Sequence, residues 1–171
     1  MKTQSAGLEE LESQKLCQEV LDLINIVAQL RDSKHGCPWD IEQSHLSLIP
    51  YAIEEAYEVA DAVRNGNSND LKEELGDLLL QVILHCQIAR EQKEFSLKEV
   101  IEEVNKKLIR RHPHVFKKRE SLNIETVQEN WEVIKSSEKP KIKSSHPISD
   151  RLRLKIRSQS AFSGALKVSK E

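Results

Sequence analysis

Apolar residues recur at three- and four-residue steps along most of the chain. In the first such stretch Leu16, Val20, Leu23 and Val27 follow this spacing, which is typical of a helix with one apolar face and predicts a helix over about 8–31. The same spacing predicts further helices over about 47–64, 71–91, 96–110 and 124–136. No segment alternates between apolar and polar residues with a period of two, as a half-buried strand would. The sequence therefore predicts an all-α fold, a bundle of four to five helices.

Helix-breaking residues separate the predicted helices. Pro38 disfavours helical geometry in the residue before it, so the segment 36–40 is predicted to interrupt the helical pattern. Gly66 opens a turn, after which Asn69 or Asp70 is placed to cap the next helix. Because this turn is short, the two helices that flank it are expected to pack antiparallel.

The composition supports a helical protein and limits its class. Charged residues make up 32% of the 171 residues, whereas Gly and Pro number five each, which favours long helices over a β-fold. The formal net charge of -2 gives no overall attraction to nucleic acid or to a membrane. Three widely separated cysteines argue against a disulfide framework, and no apolar stretch suggests a signal peptide or a membrane span. We therefore expect a soluble cytoplasmic protein that binds neither membranes nor a specific nucleic acid.

The chain becomes basic towards its C-terminus. Nine of the residues at 139–170 are Lys or Arg, against a single acidic residue, and two prolines bracket a stretch rich in Lys and Ser. We therefore predict a helical domain at 1–138, followed by a basic linker and C-terminal extension at 139–171. The extension lacks interleaved aromatic residues that would stack on bases, so a solvated extension or an interface segment is favoured over nucleic-acid binding.

Two neighbouring predicted helices carry acidic residues at helical spacing. The first of them carries Glu54, Glu55 and Glu58. Since each residue of a helix turns about 100°, Glu55 and Glu58 differ by only about 60° in direction. Glu74 and Asp77 on the next helix are also three residues apart. If the two helices pack antiparallel, both sets of carboxylates can converge on one spot.

Spacing alone leaves two interpretations of this acidic cluster open. Acidic runs are commonly solvated helix faces, since Glu is a good helix former. Alternatively, the carboxylates hold a divalent cation that relieves their repulsion; oxygen ligands select hard ions, so Mg²⁺ is the natural candidate and Mn²⁺ is possible. Gly76 lies between Glu74 and Asp77 and costs about 1 kcal/mol relative to Ala in a helix, which a close approach of a helix or a ligand would explain. A di-iron bundle is disfavoured, because none of these acids has a His three residues on.

Five motifs follow one another along the chain. They are Cys37-Pro-Trp-Asp40, Glu54-Glu-Ala-Tyr-Glu58, Glu74-Leu-Gly-Asp77, Lys107-Leu-Ile-Arg-Arg-His-Pro-His-Val-Phe116 and Asn130-Trp-Glu-Val-Ile-Lys135. An E-E-x-x-E element alone would be unspecific, but five ordered motifs at this spacing are highly specific. Through them the chain resembles the MazG family of all-α nucleoside triphosphate pyrophosphohydrolases, from about residue 30 to residue 135.

The resemblance implies an enzymatic activity and a metal site. The implied reaction is Mg²⁺-dependent cleavage of an NTP or dNTP between the α- and β-phosphates, giving a nucleoside monophosphate and pyrophosphate. Glu55, Glu58, Glu74 and Asp77 would bind the metal ion. Glu54 would orient or deprotonate the attacking water, which suits a carboxylate placed beside a metal that neutralises phosphate charge.

The resemblance also assigns substrate-binding residues. Lys107 and Arg111 lie one helical turn apart and match the family's phosphate-contacting basic pair, and Arg110 could share this task. Trp131 matches the residue expected to stack on the base. Without the resemblance, the basic residues would be interpreted as a solvated helix end, and core packing would be an equal alternative for Trp131.

Two further expectations concern assembly and catalytic strength. Four or five helices are too few to enclose both a base and a triphosphate, so we predict a homodimer or higher homo-oligomer that covers the apolar faces of the first and fourth helices. Many MazG proteins carry two repeats; the motifs here look most like the first, and the segment 149–170 resembles the connector to a second. The alternative hypothesis is therefore a catalytically weak or inactive module for dimerisation, nucleotide binding and regulation.

Overall fold

A computed structural model gives the fold of residues 2–117 and 119–138. Every element of regular secondary structure in these two ranges is a helix, so the all-α prediction is confirmed. The helices are α1 (Lys2–Leu30), α2 (Pro38–Glu42), α3 (Ile49–Asn65), α4 (Ser68–Glu91), α5 (Leu97–Arg111), α6 (Pro113–Phe116) and α7 (Ile124–Ser137). The extension predicted at 139–171 lies outside the described residues.

The five long helices match the five predicted ones, and α2 and α6 are two additional short helices. Both begin with a proline in the first turn, where the missing N–H group costs nothing because no intrahelical acceptor exists for it. The predicted interruption of the helical pattern is confirmed, since α1 ends at Leu30 and Pro38 starts a separate short helix.

The connection between α3 and α4 makes these two helices a hairpin. Gly66 ends α3 with a φ of 69°, a left-handed conformation that residues with a side chain rarely adopt. Asn67 then caps α4, because its side-chain oxygen accepts hydrogen bonds from the backbone N–H groups of Asn69 at 3.0 Å and Asp70 at 3.5 Å. The predicted cap at Asn69 or Asp70 was therefore wrong by two or three residues, although the turn itself was predicted.

The hydrophobic core that α4 forms with α1 and the segment before α3 is small and lies on one side of α4. It consists of the fully buried residues Val27, Leu48, Ile83, Leu84 and Ile88, so α1 and the segment before α3 contribute one residue each. α4 packs against α3 and, less extensively, against α1. Because these core residues of α4 belong to its C-terminal half, the acidic residues of its N-terminal half lie outside the core.

Arg31, directly after α1, joins three elements of this part of the chain. Its guanidinium group makes a two-pronged ion pair with Glu91 at the end of α4, with Nε–Oε1 and Nη2–Oε2 distances of 3.0 and 2.7 Å. Its Nη1 donates hydrogen bonds to the backbone carbonyls of Asp40 and Gln43. The Arg31 side chain is only 6% exposed, so these contacts fix α2 and the lead into α3 against α4.

The chain divides into two compact units, and the division falls between Lys106 and Lys107 within α5. The predicted domain boundary between residues 138 and 139 lies at the edge of the described part and stays a prediction. Among the described residues, no helix combines the length and the apolar character needed to cross a membrane. The cytoplasmic location also stays a prediction.

Candidate active site

The α3–α4 hairpin brings three of the predicted metal ligands together. Glu55 and Glu58 project from α3 and Glu74 projects from α4, and one carboxylate oxygen of each lies within 4.8 Å of the others. Glu55 and Glu74 are half-buried, whereas Glu58 is exposed. The antiparallel packing inferred from the short turn therefore produces the convergence that spacing alone could only suggest.

The negative charge of Asp77 affects two of these glutamates. Partial burial, followed by the negative charge of Asp77, raises the pKa of Glu55 above its ordinary value. Partial burial, followed by the charges of Glu58 and Asp77, likewise raises the pKa of Glu74. Asp77 therefore lies close enough to both glutamates to repel them, and the four carboxylates form one strained acidic cluster.

The acidic cluster fits a hard divalent cation. Carboxylate oxygens are the ligands that Mg²⁺ and Mn²⁺ prefer, and a cation would remove the repulsion that raises the two pKa values. Glu54 is exposed, and its charge is the weakest named influence on the pKa of Glu55. The four residues expected as ligands thus lie together, and Glu54 lies at the margin of the cluster.

Two explanations were predicted for Gly76, the close approach of another helix and the close approach of a ligand. The structure does not support the first of them. A Cβ atom built at this position would meet no atom within 4 Å. Within the described residues, the close approach of another helix therefore does not account for glycine at this position, and a ligand remains as the untested explanation.

Arg110 and Arg111, the arginines predicted to bind phosphate, both donate to one carboxylate. All three residues belong to the second compact unit, which begins at Lys107. Glu138, directly after α7, accepts hydrogen bonds from Arg110 Nε at 2.6 Å and from Arg111 Nη2 at 2.6 Å. Hydrogen bonds from Arg111 and then from Arg110 lower the pKa of Glu138 to about 2, so the carboxylate is ionised at any working pH. Lys107 lies on α5 one turn before Arg111 and is half-buried.

Trp131 lies beside the same arginine. The guanidinium carbon of Arg111 is 5.2 Å from the centroid of the Trp131 ring, a cation–π contact. The His112 ring meets Trp131 edge-on, with the ring centroids 4.8 Å apart, and His112 Nδ1 is hydrogen-bonded to the Leu108 carbonyl at 2.7 Å. The Trp131 ring therefore contacts the side chains of Arg111 and His112. Its predicted stacking on a base remains untested.

A pair of histidines joins the segment before α3 to α4. The Nδ1 atoms of His45 and His85 are 2.8 Å apart, and the two ring planes differ by only 3°. The ring centroids are 5.1 Å apart, which is the Nδ1–Nδ1 distance plus one ring radius for each imidazole. The rings therefore lie edge to edge in nearly one plane, and one Nδ1–H group donates a linear hydrogen bond to the other Nδ1.

This histidine pair makes stability depend on pH. Burial, followed by the charge of His45, lowers the pKa of His85, and protonation of both rings would turn two N–H groups against each other. The folded state therefore binds fewer protons than the unfolded state, so the contribution is present above the ordinary His pKa and is lost as pH falls below it. For His85→Phe we expect a Tm that falls less between pH 7.5 and 5.5, by about 2–4 °C, measured by calorimetry.

The exposed His35 provides a matched control for this pH effect. His35→Gln removes a histidine whose side chain is 88% exposed, and it should keep the wild-type dependence of Tm on pH. Equal slopes for the wild type and His85→Phe would contradict the interpretation of the histidine pair.

The sequence did not predict the contacts of His45, His85 and Glu138. His45 and His85 are 40 residues apart, and no local spacing relates them. Glu138 belongs to none of the five motifs, and only the excess of arginine at the end of α5 indicated that a carboxylate partner was needed.

Comparison with known proteins agrees with the all-α fold. Residues 43–116 match the model of the MazG nucleotide pyrophosphohydrolase domain, a range that contains the acidic cluster, Lys107 and Arg111. In a structure comparison, the chain matches the crystal structure of a mazG-related protein from Thermotoga maritima with a TM-score of 0.57 and 28% identity. That match covers 70% of this chain and 98% of the other.

Two curated relatives share substantially more sequence with the chain. It is 50% identical over 124 residues to the nucleoside triphosphate pyrophosphohydrolase/pyrophosphatase MazG of Thermotoga maritima, covering 72% of this chain and 47% of the relative. It is 44% identical over 117 residues to the nucleoside triphosphate pyrophosphohydrolase of Escherichia coli K12, covering 68% of this chain and 44% of that relative. The chain thus spans about half the length of these relatives, and through the domain at 43–116 it belongs to the MazG family.

Proposed function

We propose that the chain hydrolyses nucleoside triphosphates, NTP or dNTP, to the nucleoside monophosphate and pyrophosphate with the help of Mg²⁺. The observation that carries the proposal is the convergence of Glu55, Glu58 and Glu74, with Asp77 close enough to raise the pKa of two of them. The names of the two curated relatives support the same reaction.

Each acidic residue has a defined task in this proposal. Glu55, Glu58, Glu74 and Asp77 hold the cation, which when bound neutralises charge that develops on the phosphates. Glu54, at the margin of the cluster, orients the attacking water and takes its proton. This division suits the exposed position of Glu54 on α3.

The basic residues bind the phosphates of the substrate. Arg111 and Arg110 offer planar sets of N–H donors, and Lys107 offers a point charge one helical turn away. Trp131 is assigned to the base, since its indole ring offers a stacking surface. Preference for one base or sugar does not follow from these residues.

A panel of NTPs and dNTPs tests the proposed reaction. The purified chain is incubated with each nucleotide and Mg²⁺ or Mn²⁺, and monophosphate and pyrophosphate are measured separately from inorganic phosphate. We expect both products in equal amounts and none in the presence of EDTA. Cation binding without turnover of any nucleotide would instead support a catalytically weak or inactive module for dimerisation, nucleotide binding and regulation, and release of inorganic phosphate would contradict cleavage between the α- and β-phosphates.

Exposed apolar residues on α1 support a homodimer or higher homo-oligomer. Leu16 is 66% exposed, Leu21 52% and Ile26 53%. α5, the fourth predicted helix, contains no buried residue and carries the exposed Ile101 and Val104. Both helices that were predicted to face a second copy thus expose apolar side chains, which an interface between copies would bury.

Sedimentation equilibrium tests this assembly. At micromolar concentration we expect a dimer or larger oligomer for the wild type, and Leu21→Glu combined with Ile26→Glu should shift it towards the monomer, because charges would be buried at the interface. Lys34→Glu, in the exposed loop after α1, is the control and should leave the assembly unchanged. A monomer in the wild-type sample would contradict the proposed oligomer.

A further inference from the structure

The carboxylate of Glu138 contacts two adjacent arginines whose like charges would otherwise repel each other. Arg110 Nε donates to Oε1 at 2.6 Å, and Arg111 donates to Oε2 from Nε at 3.1 Å and from Nη2 at 2.6 Å. The Glu138 and Arg111 side chains are only 18% and 15% exposed. An ion pair this poorly solvated has a defined geometry, unlike most surface pairs.

The geometry of Arg111 shows which of its donors Glu138 uses. A guanidinium group carries five N–H bonds in one plane. Glu138 lies along the edge formed by Nε and Nη2, which accounts for two of the five, and the ring of Trp131 lies against the guanidinium group at 5.2 Å. The three remaining N–H bonds, two on Nη1 and one on Nη2, point away from the carboxylate.

We propose that Glu138 is a positioning residue that holds the Arg111 guanidinium group, so that its three remaining N–H bonds face a phosphate group of the substrate. This inference rests on the proposed function, in which Arg111 binds phosphate. The carboxylate occupies the edge nearest the side-chain stem and leaves the outer end of the fork available, so phosphate can bind without displacing it. Fixing the fork in advance also lowers the side-chain entropy that binding would otherwise cost.

The same contact has a second interpretation, in which Glu138 competes with phosphate for the arginines. A competitor would occupy the outer end of the fork, where a phosphate binds, whereas Glu138 occupies the Nε edge of Arg111. The two interpretations predict opposite effects of removing the carboxylate. Positioning predicts weaker phosphate binding, and competition predicts tighter binding.

Glu138→Gln separates the two interpretations through direct binding of inorganic tripolyphosphate, measured by calorimetry in the full chain with Mg²⁺. We expect the Kd to rise about tenfold, as when one charge-assisted hydrogen bond is weakened. The KM for the nucleotide should rise by a similar factor with a smaller change in kcat, and Glu138→Asp should restore part of the affinity. In an Arg111→Met background, Glu138→Gln should have a much smaller effect, because the carboxylate acts mainly through Arg111.

Glu132→Gln is the matched control, since Glu132 lies on α7 and pairs with Lys135 at 3.0 Å on the exposed surface. It should bind tripolyphosphate like the wild type. A lower Kd for Glu138→Gln, or an unchanged Kd with only a lower Tm, would overturn the proposal, as would a wild-type chain that binds no tripolyphosphate. If the wild type binds tripolyphosphate in a Glu138-dependent way but cleaves no nucleotide, the proposed reaction fails and the positioning role stands.

Discussion

Replacing Glu58 with glutamine is expected to reduce turnover at least about 100-fold, because even mutation of groups that only support metal ligands costs roughly 10- to 100-fold. A carboxylate oxygen of Glu58 lies within 4.8 Å of one on Glu55 and one on Glu74, and after burial its charge is the largest cause that raises the pKa of Glu74. Glutamine keeps the size of the side chain and removes one of the negative charges that a cation would neutralise. Product release from the preferred nucleotide, measured at saturating Mg²⁺, gives the loss in kcat.

The same substitution is expected to stabilise the protein when no cation is bound. Partial burial, followed by repulsion within the acidic cluster, raises the pKa of Glu55 and Glu74, so the folded state binds more protons than the unfolded state. Stability in EDTA therefore falls as pH rises from the ordinary glutamate pKa towards the raised values. Glu58→Gln removes one repelling charge, so its Tm in EDTA at neutral pH should be higher and its dependence on pH flatter.

Mg²⁺ should stabilise the wild type much more than Glu58→Gln. A cation at about 100 times its Kd stabilises a protein by roughly 2.7 kcal/mol, which is several degrees of Tm for a chain of this size, and most of this gain should disappear in Glu58→Gln. Asp61→Asn is the control: it removes a carboxylate one helical turn further along α3 that is paired with Arg64, and it should keep both turnover and the Mg²⁺ effect. The metal site would be refuted if Glu58→Gln and Asp61→Asn gave the same result in both measurements.

The features that the sequence predicted correctly depend on local patterns. The five long helices follow from apolar spacing within each segment, and the hairpin of α3 and α4 follows from the short turn at Gly66. Once these two helices are antiparallel, acidic residues three apart on each of them can face each other, which is why Glu55, Glu58 and Glu74 could be grouped in advance.

The features that the sequence did not predict depend on contacts between residues far apart in the chain, or on backbone and side-chain geometry that residue types do not specify. Arg31 and Glu91 are 60 residues apart. In the sequence, each looks like an ordinary charged residue near the end of a helix. Asn67 was overlooked as the cap of α4 because Asn69 and Asp70 are equally suitable by residue type, and only the extended backbone at Asn67 decides between them. Residue types alone also could not show that Arg111 presents one edge to Glu138.

Arg31→Met is expected to be the most destabilising single substitution among the described ion pairs. It removes a side chain that is 6% exposed, so the Glu91 carboxylate loses its ion-pair partner and keeps only the hydrogen bond from Gln87, and two backbone carbonyls lose one donor each. Breaking a buried pair costs about 3–5 kcal/mol; since Glu91 is 36% exposed, we expect about 2–3 kcal/mol, or a decrease in Tm of roughly 4–12 °C. The decrease is measured by calorimetry at neutral pH in EDTA, where the acidic cluster contributes equally to both proteins.

Glu91 provides the test that the loss comes from this pair. Hydrogen bonds from Arg31 lower the pKa of Glu91, so the stabilisation is present above the ordinary glutamate pKa and is lost as pH falls through the lowered value. The difference in stability between the wild type and Arg31→Met should therefore shrink in acid. A double variant, Arg31→Met with Glu91→Met, should recover part of the loss, because two apolar side chains leave no unpaired charge. Arg64→Met, at an exposed pair on α3, should change Tm by no more than about 1–2 °C, and an equal effect of the two arginine substitutions would show that Arg31 is only another surface charge.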